Sequence, residues 1–158
     1  MERMFTIYAL KELKEVVQYI LHILNSFPKS SQATILALYG ELGAGKTTLV
    51  QILGKQLGIE EVMISPTFIL ERVYPISFLD FSSLVHIDAY RLENTLELDT
   101  INFSERLGNP QNLMCIEWAE KIPEVIPVSA VKISISAPTP TKREVLVSTR
   151  REDSTGVN

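Results

Sequence analysis

The chain holds one cysteine in 158 residues, carries no excess of basic charge and has no long apolar run. Cys115 has no mate for a disulfide, and its place in the apolar run Leu113 to Ile116 reads as a buried, inert thiol rather than a nucleophile. A formal charge of -4 and a pI near 5.2 deny the surface the general basic field on which non-specific nucleic-acid binding rests. No DNA partner is expected, and work on RNA needs a second protein. The longest uncharged apolar-rich stretch, Val16 to Pro28, is interrupted by Gln18, His22 and Asn25 and is too short to cross a bilayer. Met1-Glu2-Arg3 does not open a secretion signal, so the expected setting is cytoplasmic, with no membrane partner. Internal repeats and low-complexity blocks are missing as well.

What is present suits one α/β domain over residues 1–149 followed by a flexible polar tail, 150–158. Such a length buries about two-thirds of the unfolded surface. Met4 to Ala9 reads as a short strand. The stripe Leu13, Val16, Val17, Ile20, Leu24, Phe27 steps by three and four residues and predicts an amphipathic helix from Lys11 to Phe27, stopped by Pro28. His22 in that helix has no companion at ligand spacing and is read as structural. Phe68 to Tyr74 and Leu84 to Ala89 alternate as strands joined through 75–83, and Asn94 caps a short helix ending near Ile101. Leu113 to Ile116 suits a central buried strand, while Ala130 to Ser136 and Glu144 to Thr149 read as a closing hairpin turning at 138–141. The expected fold is a small phosphate-loop NTPase: a mixed, mostly parallel sheet with flanking helices and antiparallel hairpin strands.

The phosphate loop itself is explicit. Gly40-Glu41-Leu42-Gly43-Ala44-Gly45-Lys46-Thr47 fills every fixed position of G-x-x-x-x-G-K-[ST], and Thr48 follows with a second hydroxyl. The apolar run Thr34 to Tyr39 reads as the strand before it, and Thr48 to Leu57 has helical spacing behind it, the helix beginning near Lys46. In that order the glycines let successive backbone N–H groups turn toward phosphates, with the positive end of a helix dipole behind them. Lys46 is placed to reach the β/γ-phosphates and Thr47 to ligate Mg²⁺. No N-K-x-D occurs, which removes the usual sign of guanine recognition and favours ATP. No arginine-rich lid of the kind a small-molecule kinase closes over its substrate follows the loop either.

Two apolar runs end in carboxylates, Leu84 to Asp88 and Leu113 to Glu117. Ligands in parallel sheets collect at the carboxyl ends of strands, so both are candidates to serve Mg²⁺ or an attacking water. His86, Asp88 and Tyr90 share one face if the strand continues that far. A catalytic surface and the polar face of an edge strand weigh equally for them. Arg91 is either a stabiliser of transferring phosphate or half of a surface ion pair, and Trp118 is either core filler or a platform near the nucleotide or a partner.

Taken together, G-E-L-G-A-G-K-T-T-L at 40–49, S-P-T-F at 65–68, H-I-D-A-Y-R at 86–91 and I-E-W-A-E at 116–120 resemble the TsaE family, formerly YjeE. These are small bacterial ATPases that take part in making the threonylcarbamoyl modification of adenosine 37 in tRNAs reading codons that begin with A. The resemblance spans about half of the chain, and it implies an unusually small sheet that lacks some expected helices. It also implies TsaB and TsaD as partners, TsaD being the subunit that transfers the threonylcarbamoyl group, with tRNA reached only through the complex. By the same resemblance, Leu42, Gly43, Ala44, Gly45, Lys46, Thr47 and Thr48 hold the phosphates, and Thr47 with Glu117 binds Mg²⁺. Thr67 resembles a switch residue sensing the γ-phosphate, Asp88 orients water or a switch contact, Trp118 supports the site and Glu120 approaches the nucleotide.

Three functions fit these residues: an accessory ATPase of tRNA modification, a kinase using the same loop, and an assembly module ordered by bound ATP. The family resemblance favours the first.

Overall fold

In the computed structural model the described residues are 1–150; most of the expected tail, 151–158, lies outside them. Seven strands form one sheet: β1 (Glu2–Ile7), β2 (Thr34–Tyr39), β3 (Glu71–Phe78), β4 (Phe81–Asp88), β5 (Asn112–Glu117), β6 (Val131–Thr139) and β7 (Lys142–Ser148). Their order is β1-β7-β6-β2-β5-β4-β3. The inner pairings β6–β2, β2–β5 and β5–β4 are parallel, and the outer ones, β1–β7, β7–β6 and β4–β3, are antiparallel. The sheet is mixed, as the sequence implies, with its parallel part confined to the centre.

Alternation decides which layer each residue joins. Leu36, Leu38, Leu113, Cys115, Leu84, Ile133 and Val145 face one core, packed against the helices α1 (Leu13–Asn25) and α2 (Lys46–Gln56). Ile35, Ala37, Met114, Ile116, Val85 and Ile87 face the other. That second core is closed by short pieces: a 3-10 segment at Thr95–Ile101, the five-residue α3 (Phe103–Leu107), and the turns carrying Ala119 and Ile122. The implied shortage of helices is therefore real on this face. The implied small sheet is not, since seven strands are present.

Boundaries moved where local chemistry overrides the alternating pattern. The strand read at 68–74 starts at Glu71 because Ile69 N donates to Pro66 O (3.2 Å) in a turn and Leu70 sits at φ 67°, out of extended geometry. Phe68 and Ile69 then face solvent. The strand instead runs through Pro75 to Phe78, where β3 is an edge and a missing N–H is tolerated. Its connection to β4 shrinks from 75–83 to Leu79 and Asp80, with Leu79 at φ 53°. The helix expected over Lys11 to Phe27 begins as a 3-10 turn at Leu10–Glu12 and ends at Asn25.

Candidate functional site

The site forms where β2, β5 and β4 end side by side. In register, Leu38 and Asp88 both lie opposite Glu117, so the two candidate carboxylates end adjacent parallel strands. Beyond β2 the chain turns at Gly40, where a Cβ would lie 2.2 Å from Ile135 O of β6; only glycine fits. Gly43 and Gly45 take φ 76° and 116°, the left-handed side that a side chain resists, and α2 starts directly after Gly45.

Lys46, 5% exposed, donates from Nζ to Gly40 O and to Glu41 O (2.9 Å for the latter), which folds it back over its own loop. The ammonium also lies 3.9 Å from the centre of the Trp118 ring. Burial pulls its pKa below the ordinary value while the charges of Glu117, Glu120 and Asp88 pull the other way. Thr47 Oγ1 donates to the Glu117 carboxylate, 2.9 Å from Oε1 and 2.8 Å from Oε2. His86 Nε2 sits 2.7 Å from the same Oε1, and both His86 and Glu117 are buried. Asp88 Oδ2 accepts from Ser65 Oγ (3.0 Å) and Thr67 Oγ1 (2.8 Å), and its Oδ1 accepts from Tyr90 N (3.0 Å). The Ser-Pro-Thr turn is thereby tied to the end of β4.

The H-x-D-x-Y-R residues do share a neighbourhood but not an edge-strand face. β4 lies between β3 and β5, and His86 is fully buried against Glu117, which removes the edge-strand reading. Tyr90 packs on Trp118 with ring centroids 4.9 Å apart. Arg91 makes no ion pair among the described residues; its guanidinium lies 4.4 Å from the centre of the Phe68 ring. Trp118, at φ 57°, is half-buried and packs against the second core, with the Lys46 ammonium over its ring face. Glu120 is exposed and acts through its charge, which raises the Tyr39 pKa after burial has done so. Leu42 is exposed at the loop, and Thr48 enters α2 half-buried. Cys115 is buried, and burial first, then Glu117, pushes its thiol pKa up, as expected of an inert group.

One residue escaped the sequence. Arg143, at the start of β7, donates from Nε to Ala44 O of the loop (3.1 Å) across 99 positions of chain, and nothing local in the sequence signals that contact.

The donor set suits Mg²⁺ and a nucleotide. Among the described residues no three His, Cys, Asp or Glu side chains gather as a cage, and Mg²⁺ characteristically takes one or two protein oxygens, phosphates and water. The Thr47 hydroxyl and the Glu117 carboxylate are such oxygens, already in contact beside a buried lysine.

Comparison with known proteins agrees with this architecture. Residues 9–145 match the family model described as threonylcarbamoyl adenosine biosynthesis protein TsaE. The chain belongs to the TsaE family. A TsaE protein of Streptomyces coelicolor is 44% identical over 54% of this chain and 57% of its own length. That of Synechocystis is 40% identical over 58% of each chain, so this chain spans somewhat over half the length of these curated relatives. A Treponema pallidum TsaE is 34% identical over 73% of this chain and 82% of its own. The crystal structure of YdiB from Bacillus subtilis superposes with a TM-score of 0.70 over 94% of this chain and 86% of that one, at 23% identity, which shows a shared fold. No helix among the described residues is long and apolar enough to cross a membrane.

Proposed function

We propose that the chain is an accessory ATPase of tRNA threonylcarbamoyladenosine biosynthesis, binding ATP with Mg²⁺ and working in the cytoplasm beside TsaB and TsaD. The observation that carries this reading is the contact between Thr47 of the loop and Glu117 at the end of β5, which joins a phosphate-binding backbone to a carboxylate beside a buried lysine.

Each side chain then has a task. Lys46 would leave Gly40 O and Glu41 O, carbonyls that give it its present partners, for the β/γ-phosphates. Thr47 and Glu117 would hold the metal, which supplies charge neutralisation between the phosphates. His86 holds one oxygen of Glu117, so the carboxylate has a fixed direction before any ligand arrives. Asp88, with Ser65 and Thr67 on it, is poised to orient water or to release the Ser-Pro-Thr turn. Arg91 lies on Phe68, so no free arginine completes the charge at the loop from this segment, and slow turnover by the lone chain follows. A net charge of -4 leaves tRNA contact to a partner.

The test measures phosphate release by the chain alone, with TsaB and TsaD, and with tRNA added. Slow release that partners accelerate supports the reading. Label transfer to a metabolite supports the kinase instead, and ATP-dependent co-elution without release supports the assembly module. Glu117→Gln should abolish Mg²⁺-dependent release, whereas Asp88→Asn should keep ATP binding and lower turnover. Depletion in the source cell should lower threonylcarbamoyladenosine in bulk tRNA; unchanged levels reject the pathway.

A further inference from the structure

The β6–β7 hairpin adds a control over the phosphate loop that no motif encodes. Arg143 donates from Nη1 to three carbonyls of the hairpin turn, Thr139 O (3.1 Å), Pro140 O (3.3 Å) and Lys142 O (3.1 Å), while its Nε reaches Ala44 O in the loop (3.1 Å). One guanidinium thus bolts a turn to a loop 99 residues away in the chain. The planar fork is suited to this, because its donors are set at fixed angles, which a lysine ammonium lacks.

The carbonyl it holds matters. A peptide unit is planar and trans, so its C=O and N–H point in opposite directions. Fixing Ala44 O on Arg143 therefore fixes the N–H of Gly45 pointing the other way. Gly45 has φ 116° and no Cβ, so its own backbone offers little resistance to rotation of that peptide. Gly45 is also the last residue before α2, where N–H groups have no partner within the helix and serve anions. The sequence places a glycine where freedom is needed; the structure supplies an arginine that removes the freedom.

We propose that Arg143 is a positioning residue for the phosphate loop, holding the Ala44–Gly45 peptide so that the Gly45 N–H is directed for a nucleotide phosphate before the nucleotide binds. The proposal rests on the ATP-binding reading for its purpose, but the clamp itself exists in the free protein. It makes Arg143 distinct from an arginine that touches phosphate, since its Nε is committed to a carbonyl.

Arg143→Ala and Arg143→Lys are compared with the native chain in two experiments. The first is the backbone ¹⁵N relaxation order parameter of Gly45 by NMR in the nucleotide-free protein, with thermal unfolding measured alongside. Both variants should drop the Gly45 order parameter from the rigid range of about 0.85 to below about 0.6, while amides in the centres of β2 and β5 stay rigid. The second is calorimetry with ATP and with ADP, where both variants should bind about tenfold more weakly, each nucleotide being affected alike. Full rescue of both measurements by lysine would show that charge, not the fork, is what matters and would overturn the proposal. So would an unchanged Gly45 order parameter in Arg143→Ala. If the native chain binds no ATP, the functional reading fails, yet the relaxation result still decides whether the clamp exists. If Arg143→Ala does not fold, the lysine variant decides both measurements.

Discussion

β4 and β5, at the centre of the sheet, bury polar side chains, whereas β1, β6 and β7 bury apolar ones. Of the buried polar residues Lys46, His86, Asp88, Asn112, Glu117 and Thr149, all but Thr149 belong to the central strands or to the helix the loop feeds. Along β6 the inward positions are Val131, Ile133 and Ile135, and Lys132, Ser134 and Ser136 face water, an inexpensive arrangement. At the centre, burial of charge is costly and tolerated only because Glu117 and Asp88 each meet several donors. The outer strands stabilise the sheet, and the inner strand ends hold a prearranged electrostatic site. Substitutions in the two regions should therefore separate stability from binding.

The largest expected effect is on binding. Lys46→Ala should weaken ATP affinity about 10³-fold, the loss of two charged hydrogen bonds. Unfolding should change little, because the lysine's partners in the free protein are carbonyls of its own loop. Calorimetry beside thermal unfolding checks both parts. Unchanged ATP affinity would remove the phosphate-loop assignment, and a collapsed fold would erase the contrast between the two regions.

The reverse pattern is expected from β6. Ile133, 1% exposed, packs only in the core beneath α1 and α2, so Ile133→Ala should cost about 3 kcal/mol in denaturant unfolding. ATP affinity of the folded protein should stay within about twofold, since the residue lends no polar group to the loop. A large loss of affinity would mean that the outer strands tune the site, which only Arg143 is expected to do.

Legibility follows the same division. The loop was readable because its glycines, lysine and threonine are local in sequence, and the strand before it and helix behind it are continuous patterns. Asp88 and Glu117 were readable as strand-end carboxylates, and their adjacency followed once β4 and β5 paired. His86 was not, because its burial depends on β3 covering the flank of β4, a long-range fact that its alternating neighbours resemble either way. The start of β3 is hidden because Phe68 and Ile69 continue an apolar pattern that the Ser-Pro-Thr turn breaks, and α3 leaves no signal because five residues are too few to show periodicity. Arg143 illustrates the general limit: a side chain acting on a backbone carbonyl leaves no motif.

A smaller effect should appear with pH. The Cys115 thiol lies in β5 with its pKa raised above the ordinary 9.0, chiefly by burial and then by the Glu117 charge. Folded protein thus keeps the proton at a pH where unfolded protein loses it. The sign follows: full stability below about pH 9, then a decline as pH rises, at most about 1.4 kcal/mol per unit for this one group. Denaturant unfolding at pH 8, 9 and 10, compared between the native chain and Cys115→Ala, isolates it, because Tyr39 and Lys46 titrate in both. Parallel pH curves for the two proteins would place the thiol in water and contradict the closed centre of the sheet.

The smallest effect tests the boundary between the two regions. Phe68 is 84% exposed, and its ring is engaged only by Arg91 at 4.4 Å among the aromatic contacts of the described residues. An exposed cation–π contact contributes about 0.5–1 kcal/mol, so Phe68→Ala should cost no more than about 1 kcal/mol. That is well below the loss at Ile133, although the phenylalanine is the larger residue. The Ser-Pro-Thr turn should stay in place, because Ser65 and Thr67 hold Asp88 through hydroxyls that the ring does not supply. ATP affinity should accordingly be unchanged. A stability loss equal to that of Ile133→Ala would show that residues 65–69 belong to the core. The segment is instead tethered to the site by the hydroxyls of Ser65 and Thr67 and is otherwise free to respond to what binds there.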